Sequence, residues 1–114
     1  MKIALFLPIF MTLLCICHGS PHSQHCQRLS GVTLEEIDFS PKDVDFDTVP
    51  LKVKCFAKCL IAHNLGDDGK IDANKVDNAV LRCKERYDNY VIKNDADRCD
   101  YAFRALICYA IQSS

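Results

Sequence analysis

The chain has 114 residues with 14 basic and 15 acidic side chains, a formal net charge of −1. That balance argues against nucleic acid or an anionic membrane surface as a partner. The length suits one domain, and eight cysteines in so short a chain make the redox compartment the first thing to decide.

Met1-Lys2 is a short basic start, and Ile3 to Ile16 is apolar apart from Pro8 and Thr12. Small residues follow at Gly19 and Ser20. This is the three-part layout of a secretory signal peptide, with cleavage expected after Gly19. The apolar run is shorter than the ~20 residues a membrane span needs. The expected organisation is therefore a signal peptide over 1–19 and one secreted, extracellular domain over 20–114, with no membrane insertion. Cleavage removes Cys15 and Cys17 and leaves Cys26, Cys55, Cys59, Cys83, Cys99 and Cys108. Six cysteines in an oxidising compartment read as three disulfides, and spacing alone does not choose the pairing. Lys2 leaves too, so the mature net charge is about −2. A domain of this size buries only roughly 60–65% of its unfolded surface, and each cross-link adds about 2–4 kcal/mol.

Ser20 to Gln27 is polar and reads as a loose tail pinned at Cys26. Thr33-Leu34-Glu35-Glu36 has capping-box spacing and predicts a short helix over about 33–38. Ser40-Pro41 is a second helix-start signal. The acidic residues Glu35, Glu36, Asp38, Asp43, Asp45 and Asp47 read as helix N-terminal charges and a solvated face rather than a cation site. Pro50 opens a helix expected to run to about His63. Its apolar face is Val53, Phe56, Ala57, Leu60 and Ile61, with Lys52, Lys54 and Lys58 on the other side, and Gly66 suits a left-handed cap beyond it.

Cys55 and Cys59 lie one helical turn apart, with Cβ atoms about 5–6 Å apart. A disulfide wants roughly 3.5–4.5 Å. They should therefore bond to different segments, which makes this helix the hub of the domain.

Asn64 to Lys75 resembles a calcium-binding loop at Gly69 and Ile71. Gly66 then falls where a side-chain oxygen is needed and Lys75 where a bidentate Glu belongs, so the stretch reads as a Gly/Asp turn and no metal is expected. From there on, no glycine or proline interrupts the chain. Asp72 or Asn74 is the expected cap of a helix through Val76, Ala79, Val80, Cys83, Tyr87, Tyr90 and Val91. Asn94-Asp95 ends it, and Asp95 is the expected cap of the last helix. From Cys99 to Ile111 only Asp100 and Arg104 are charged, four apart on one stripe. A helix apolar on every other side is a buried one, and this one is too short to span a bilayer. Cys99 and Cys108, nine apart, point to opposite faces. The fold class is thus all-α: a compact disulfide-linked bundle of about five to six helices.

The cysteine order Cys26-x28-Cys55-x3-Cys59-x23-Cys83-x15-Cys99-x8-Cys108 carries a likeness. So do Lys54-Cys55-Phe56-Ala57-Lys58-Cys59-Leu60, Asp68-Gly69-Lys70-Ile71 and Arg98-Cys99-Asp100-Tyr101-Ala102-Phe103. Over essentially the whole mature chain, the sequence resembles the insect odorant-binding protein family, of the pheromone and general odorant-binding class. The resemblance implies the bonds Cys26–Cys59, Cys55–Cys99 and Cys83–Cys108. It also implies about six helices around an apolar cavity, and a secreted carrier rather than an enzyme. The Cys59–Cys83 gap is shorter than the family's usual one, as if one helix were lost or fused, and no C-terminal tail is expected to fold over a pocket. Some members of the family work outside olfaction, in gland or reproductive fluids.

Two function classes follow. The first is a carrier whose cavity between helices is lined by Phe56, Leu60, Leu65, Ile71, Val76, Val80, Phe103, Leu106 and Tyr109, the competing reading being that these fill a solid core. Tyr87, Tyr90, Tyr101 and Tyr109 could offer hydroxyls to a ligand's polar head, and His63 could act as a pH switch, although it reads better as a solvated helix-end residue. The second is a secreted seminal, gland or toxin-like factor of the same fold that acts through a protein partner. The sequence names neither a receptor nor a homodimer interface. Catalysis is disfavoured: paired cysteines leave no thiol nucleophile or zinc tetrad, and no GxSxG, HExxH or P-loop motif occurs. No cofactor is expected.

Overall fold

A computed structural model describes residues 21–113, so the expected signal peptide over 1–19 lies outside the described residues. Four α-helices run in the order α1 (Pro21–Ser30), α2 (Leu51–Leu60), α3 (Asn78–Arg86) and α4 (Asp95–Ser113). Single 3-10 turns stand at Pro41–Asp43, Ala62–Asn64 and Ala73–Lys75. The described residues hold no strand, only an isolated bridge between Leu65 and Ile71. The fold is all-helical, with four α-helices rather than five to six among the described residues.

The first helix stands where a loose tail was expected. Ser20-Pro21 is the same start signal as Ser40-Pro41: proline at the first helical position lacks only an N–H that has no partner there, and its φ suits a helix. Gly31, at φ 72, ends the helix, and its N–H donates to the Gln27 carbonyl at 2.9 Å.

Residues 31–50, called the strap below, carry no α-helix. The capping box forms as expected: the Glu36 amide donates to Thr33 Oγ1 at 3.3 Å, and the Thr33 amide to Glu36 Oε1 at 2.9 Å. The helix does not propagate from it, and residues 34–37 make only a turn. Ser40, just before Pro41, is extended at φ −82, ψ 127, because proline's ring disfavours the α region for its predecessor. The few residues left between cap and proline cannot offset the cost of nucleation.

Hub helix α2 starts after Pro50 and passes into the Ala62–Asn64 turn, close to the expected limits. The glycine with positive φ in the following turn is Gly69 (φ 84), not Gly66. Its amide donates to the Gly66 carbonyl at 3.0 Å, and the Gly66 amide to Lys70 O at 2.7 Å. In that loop Lys75 Nζ lies 3.5 Å from the Leu65 carbonyl and 4.0 Å from Asp72.

The long helix expected from Val76 to Val91 is shorter. Asp72 caps only the Ala73–Lys75 turn, by accepting from the Asn74 amide, while Asp77 caps α3 by accepting from the Val80 amide at 3.1 Å. α3 stops at Arg86, and Tyr90 and Val91 lie in irregular chain. Asp88 and Asn89 are poor helix formers that bond their own backbone in competing conformations. For α4 the cap is Asn94, whose Oδ1 accepts from the Asp97 amide at 2.8 Å; Asp97 Oδ2 in turn accepts from Lys93 N at 2.9 Å.

Helix α4 is the centre of the molecule. It packs against α2, α3 and the Pro41–Asp43 turn, while α1 packs against α2. Tyr101, Ala102, Phe103, Ala105, Ile107, Cys108 and Ala110 are all buried, as expected of an all-round apolar helix. No described helix is long and apolar enough to cross a membrane. The disulfides are Cys26–Cys59, Cys55–Cys99 and Cys83–Cys108, with Cα separations of 5.6, 4.5 and 5.8 Å. The two hub cysteines thus bond to different segments, and so do the two on α4.

Candidate functional site

Eight of the nine residues expected to line a cavity are divided by α4 into two packed clusters. Phe56, Leu60 and Phe103 are buried in one, with Leu106 against it. Ile71 is buried in the other, with Leu65, Val76 and Val80 against it. Tyr109 is half-buried and belongs to neither cluster. Helical geometry explains the division. Phe103, Ile107 and Ala110 recur at steps of four and three on one face, and Tyr101 and Ala105 recur on another. A helix buried on both sides separates two cores rather than bounding one chamber.

The first cluster lies under the strap. Phe39 and Phe46 meet Phe103 edge to face, with ring centroids 6.0 and 5.8 Å away. Val44 and Val49 from the strap pack on the same cluster. Arg104 stacks over the Phe46 ring at 4.5 Å. Sequence reasoning passed over these strap residues because the acidic run dominated the segment. The usable signal was the set of large apolar residues, Phe39, Val44, Phe46 and Val49, spaced through it.

Beside Phe46 is a charged node. Asp100 pairs with Lys54 at 2.9 Å and with Arg104 at 2.8 Å, and it accepts a hydrogen bond from Tyr90 at 2.6 Å. Burial pushes the Asp100 carboxyl up, but the bonds from Tyr90, Lys54 and Arg104 outweigh it and hold the group below its ordinary value. The Tyr90 hydroxyl is pushed well up, first by burial and then by its bond to the Asp100 carboxylate. The expected Asp100–Arg104 pair is thus present, extended by two partners from elsewhere in the chain.

The second cluster is tied by directional bonds. The buried Tyr101 hydroxyl accepts from the Ile71 amide at 3.1 Å, and Tyr90 stacks edge to face on the Tyr101 ring at 5.9 Å. Burial raises the Tyr101 hydroxyl, against the lowering effect of the Ile71 amide. Of the four tyrosines expected to serve a ligand, Tyr90 and Tyr101 are committed to these internal bonds, and Tyr87 packs against this cluster.

A third feature is an open groove of about 410 Å³ lined by Leu29, Ser30, Cys55, Lys58, Cys59, Ala62, Asp95 and Cys99. None of the nine expected lining residues borders it. His22 lies close by on α1: its Nε2 is 3.0 Å from the Cys59 carbonyl and 3.7 Å from Cys26 Sγ. The ligand atoms of His22, Cys26 and Cys59 all lie within 4.8 Å of one another. Both sulfurs are bonded together, however, so neither is the thiolate a metal would need. His63 is exposed on the Ala62–Asn64 turn.

No family model, curated protein or solved structure matches this chain.

Proposed function

We propose that this protein is a secreted carrier of small hydrophobic molecules and not an enzyme, of the class the insect odorant-binding proteins represent. The observation that carries the reading is the interleaved set of three disulfides, two of them anchored on the hub helix, the same pairing the resemblance implies. The site is assigned to the cluster beneath the strap. A twenty-residue segment without an α-helix is long for a connection in a small domain, and such segments commonly serve as lids. Most of its grip on α4 is apolar: Phe39 and Phe46 on Phe103, with Val44 and Val49 on the same cluster. Apolar contact has no fixed geometry, so a ligand tail could take the place of strap side chains at little cost. Lys54 and Arg104, the two cations of the node beside Phe46, offer further N–H donors for a polar head.

The test is fluorescence titration of the oxidised mature protein with an environment-sensitive apolar dye, followed by displacement with long-chain alcohols, esters and fatty acids. Saturable binding that Phe46→Ala weakens at least tenfold, about 1.4 kcal/mol, is expected.

A second reading is favoured by the exposed apolar side chains. Leu29 is 69% exposed, Leu34 52%, Leu51 52% and Val91 67%, while the interior is packed. A secreted factor of this fold acting through a protein partner would use such a surface. A well-folded sample with no saturable dye binding would shift the assignment to that reading.

A further inference from the structure

We propose that the Cys26–Cys59 disulfide is a thiol-exchange site, at which a small monothiol entering the groove between α1, α2 and α4 becomes bonded to Cys59 and releases Cys26. The inference is independent of the carrier reading, because it uses a different face of the molecule.

Burial first sorts the three disulfides. Cys83 and Cys108 are 0% and 5% exposed, which shields their bond from an incoming thiol. Cys55 and Cys59 are only half-buried, and both line the groove. Their partners Cys99 and Cys26 are buried, at 3% and 0%. Cys99 also borders the groove but is nearly closed to solvent, so attack falls on Cys55 or Cys59, and the choice between them rests on the leaving sulfur, since exchange is faster when the departing thiolate is better stabilised.

The two leaving groups differ. Cys26 Sγ lies 3.7 Å from His22 Nε2. The same nitrogen is 3.0 Å from the Cys59 carbonyl oxygen, which can only accept, so Nε2 carries a hydrogen. That one N–H, donated to the carbonyl at rest, lies close enough to turn to the sulfur as negative charge develops there. Cys99 instead shares the groove wall with the Asp95 carboxylate, four residues earlier in α4. Carboxylates near a sulfur oppose its ionisation. The Lys58 ammonium on the groove wall favours the approach of an anionic thiolate.

In the step, the thiolate attacks Cys59 Sγ, and a new sulfur–sulfur bond forms as the Cys26–Cys59 bond breaks. The bonding pair goes to Cys26 Sγ, which accepts the His22 N–H and then takes a proton from water. One disulfide replaces another, so no net oxidation or reduction occurs. The product has α1 untied from α2.

The experiment treats the oxidised mature protein with excess glutathione, quenches with N-ethylmaleimide at intervals, and maps the modified cysteines by peptide mass spectrometry. Glutathione on Cys59 and maleimide on Cys26, before any modification of the other four cysteines, is the expected result. His22→Ala should slow the step several-fold, and His22→Gln, which keeps a side-chain donor, should recover part of the rate. Lys58→Gln should slow exchange with glutathione more than with uncharged 2-mercaptoethanol. Opening of Cys55–Cys99 or Cys83–Cys108 first in the unaltered protein would overturn the proposal, as would an unchanged rate in a folded His22→Ala variant.

Discussion

The two sides of α4 hold similar residue types by different means. On the strap side, Phe39, Phe46, Phe56, Phe103 and Ile107 associate through apolar contact and ring edges. On the other side, Ile71, Tyr101 and Ala105 form a smaller core held by the Tyr101–Ile71 bond, with the Leu65–Ile71 bridge nearby. Apolar packing is non-directional and tolerates rearrangement, whereas a buried hydrogen bond penalises any displacement that breaks it. One helix therefore separates an adaptable face from a constrained one.

The comparison can be broken at either face. Phe103→Ala should have the largest effect, since truncating a buried phenylalanine costs about 3–5 kcal/mol. If the strap adapts, it will settle into the vacated space and keep the loss near the lower figure by urea denaturation. Cys108→Ser unlocks the constrained face from α3 and should cost about 2–5 kcal/mol, as loss of a native cross-link does in small secreted domains. An unchanged melting temperature would contradict that framework. Tyr101→Phe removes one oxygen and leaves the Ile71 amide unpaired in a buried site, a loss of about 1–3 kcal/mol by the same measurement.

The smallest effect concerns the Asp100 node and is read as a pH profile. Its carboxyl sits below the ordinary value of 3.8, so its contribution to stability is full above that value and is lost as pH falls through the lower folded one. Asp100→Asn should flatten the acid limb of melting temperature against pH while lowering the plateau near neutrality.

Much of this arrangement was legible in residue spacing. Pro50 marked the start of the hub helix, and the two lone charges from Cys99 to Ile111 marked α4 as buried. The four-residue step between Cys55 and Cys59 told that they bond elsewhere. What misled was local signal without enough chain behind it. Thr33 and Glu36 made their reciprocal bonds, yet Pro41 left no room for a helix. The periodic run through Tyr90 and Val91 outlasted α3, because Asp88 and Asn89 end the helix while Tyr90 turns to Asp100. The candidate site was half legible: Phe56, Leu60, Phe103 and Leu106 were named and the strap's Phe39, Val44, Phe46 and Val49 were not, and periodicity does not say which side of a doubly buried helix each will take.

The interleaving of the disulfides has a consequence for survival in a protease-rich fluid. The loops they close run over 26–59, 55–99 and 83–108, and each overlaps the next. Every peptide bond from Cys26 to Cys108 therefore lies inside at least one covalent ring. A single cut in the strap, the irregular segment where a protease would find easiest purchase, leaves both fragments tethered. Such a nicked molecule would run as one species on a non-reducing gel, its fragments held through Cys26 and Cys59, and as two after reduction.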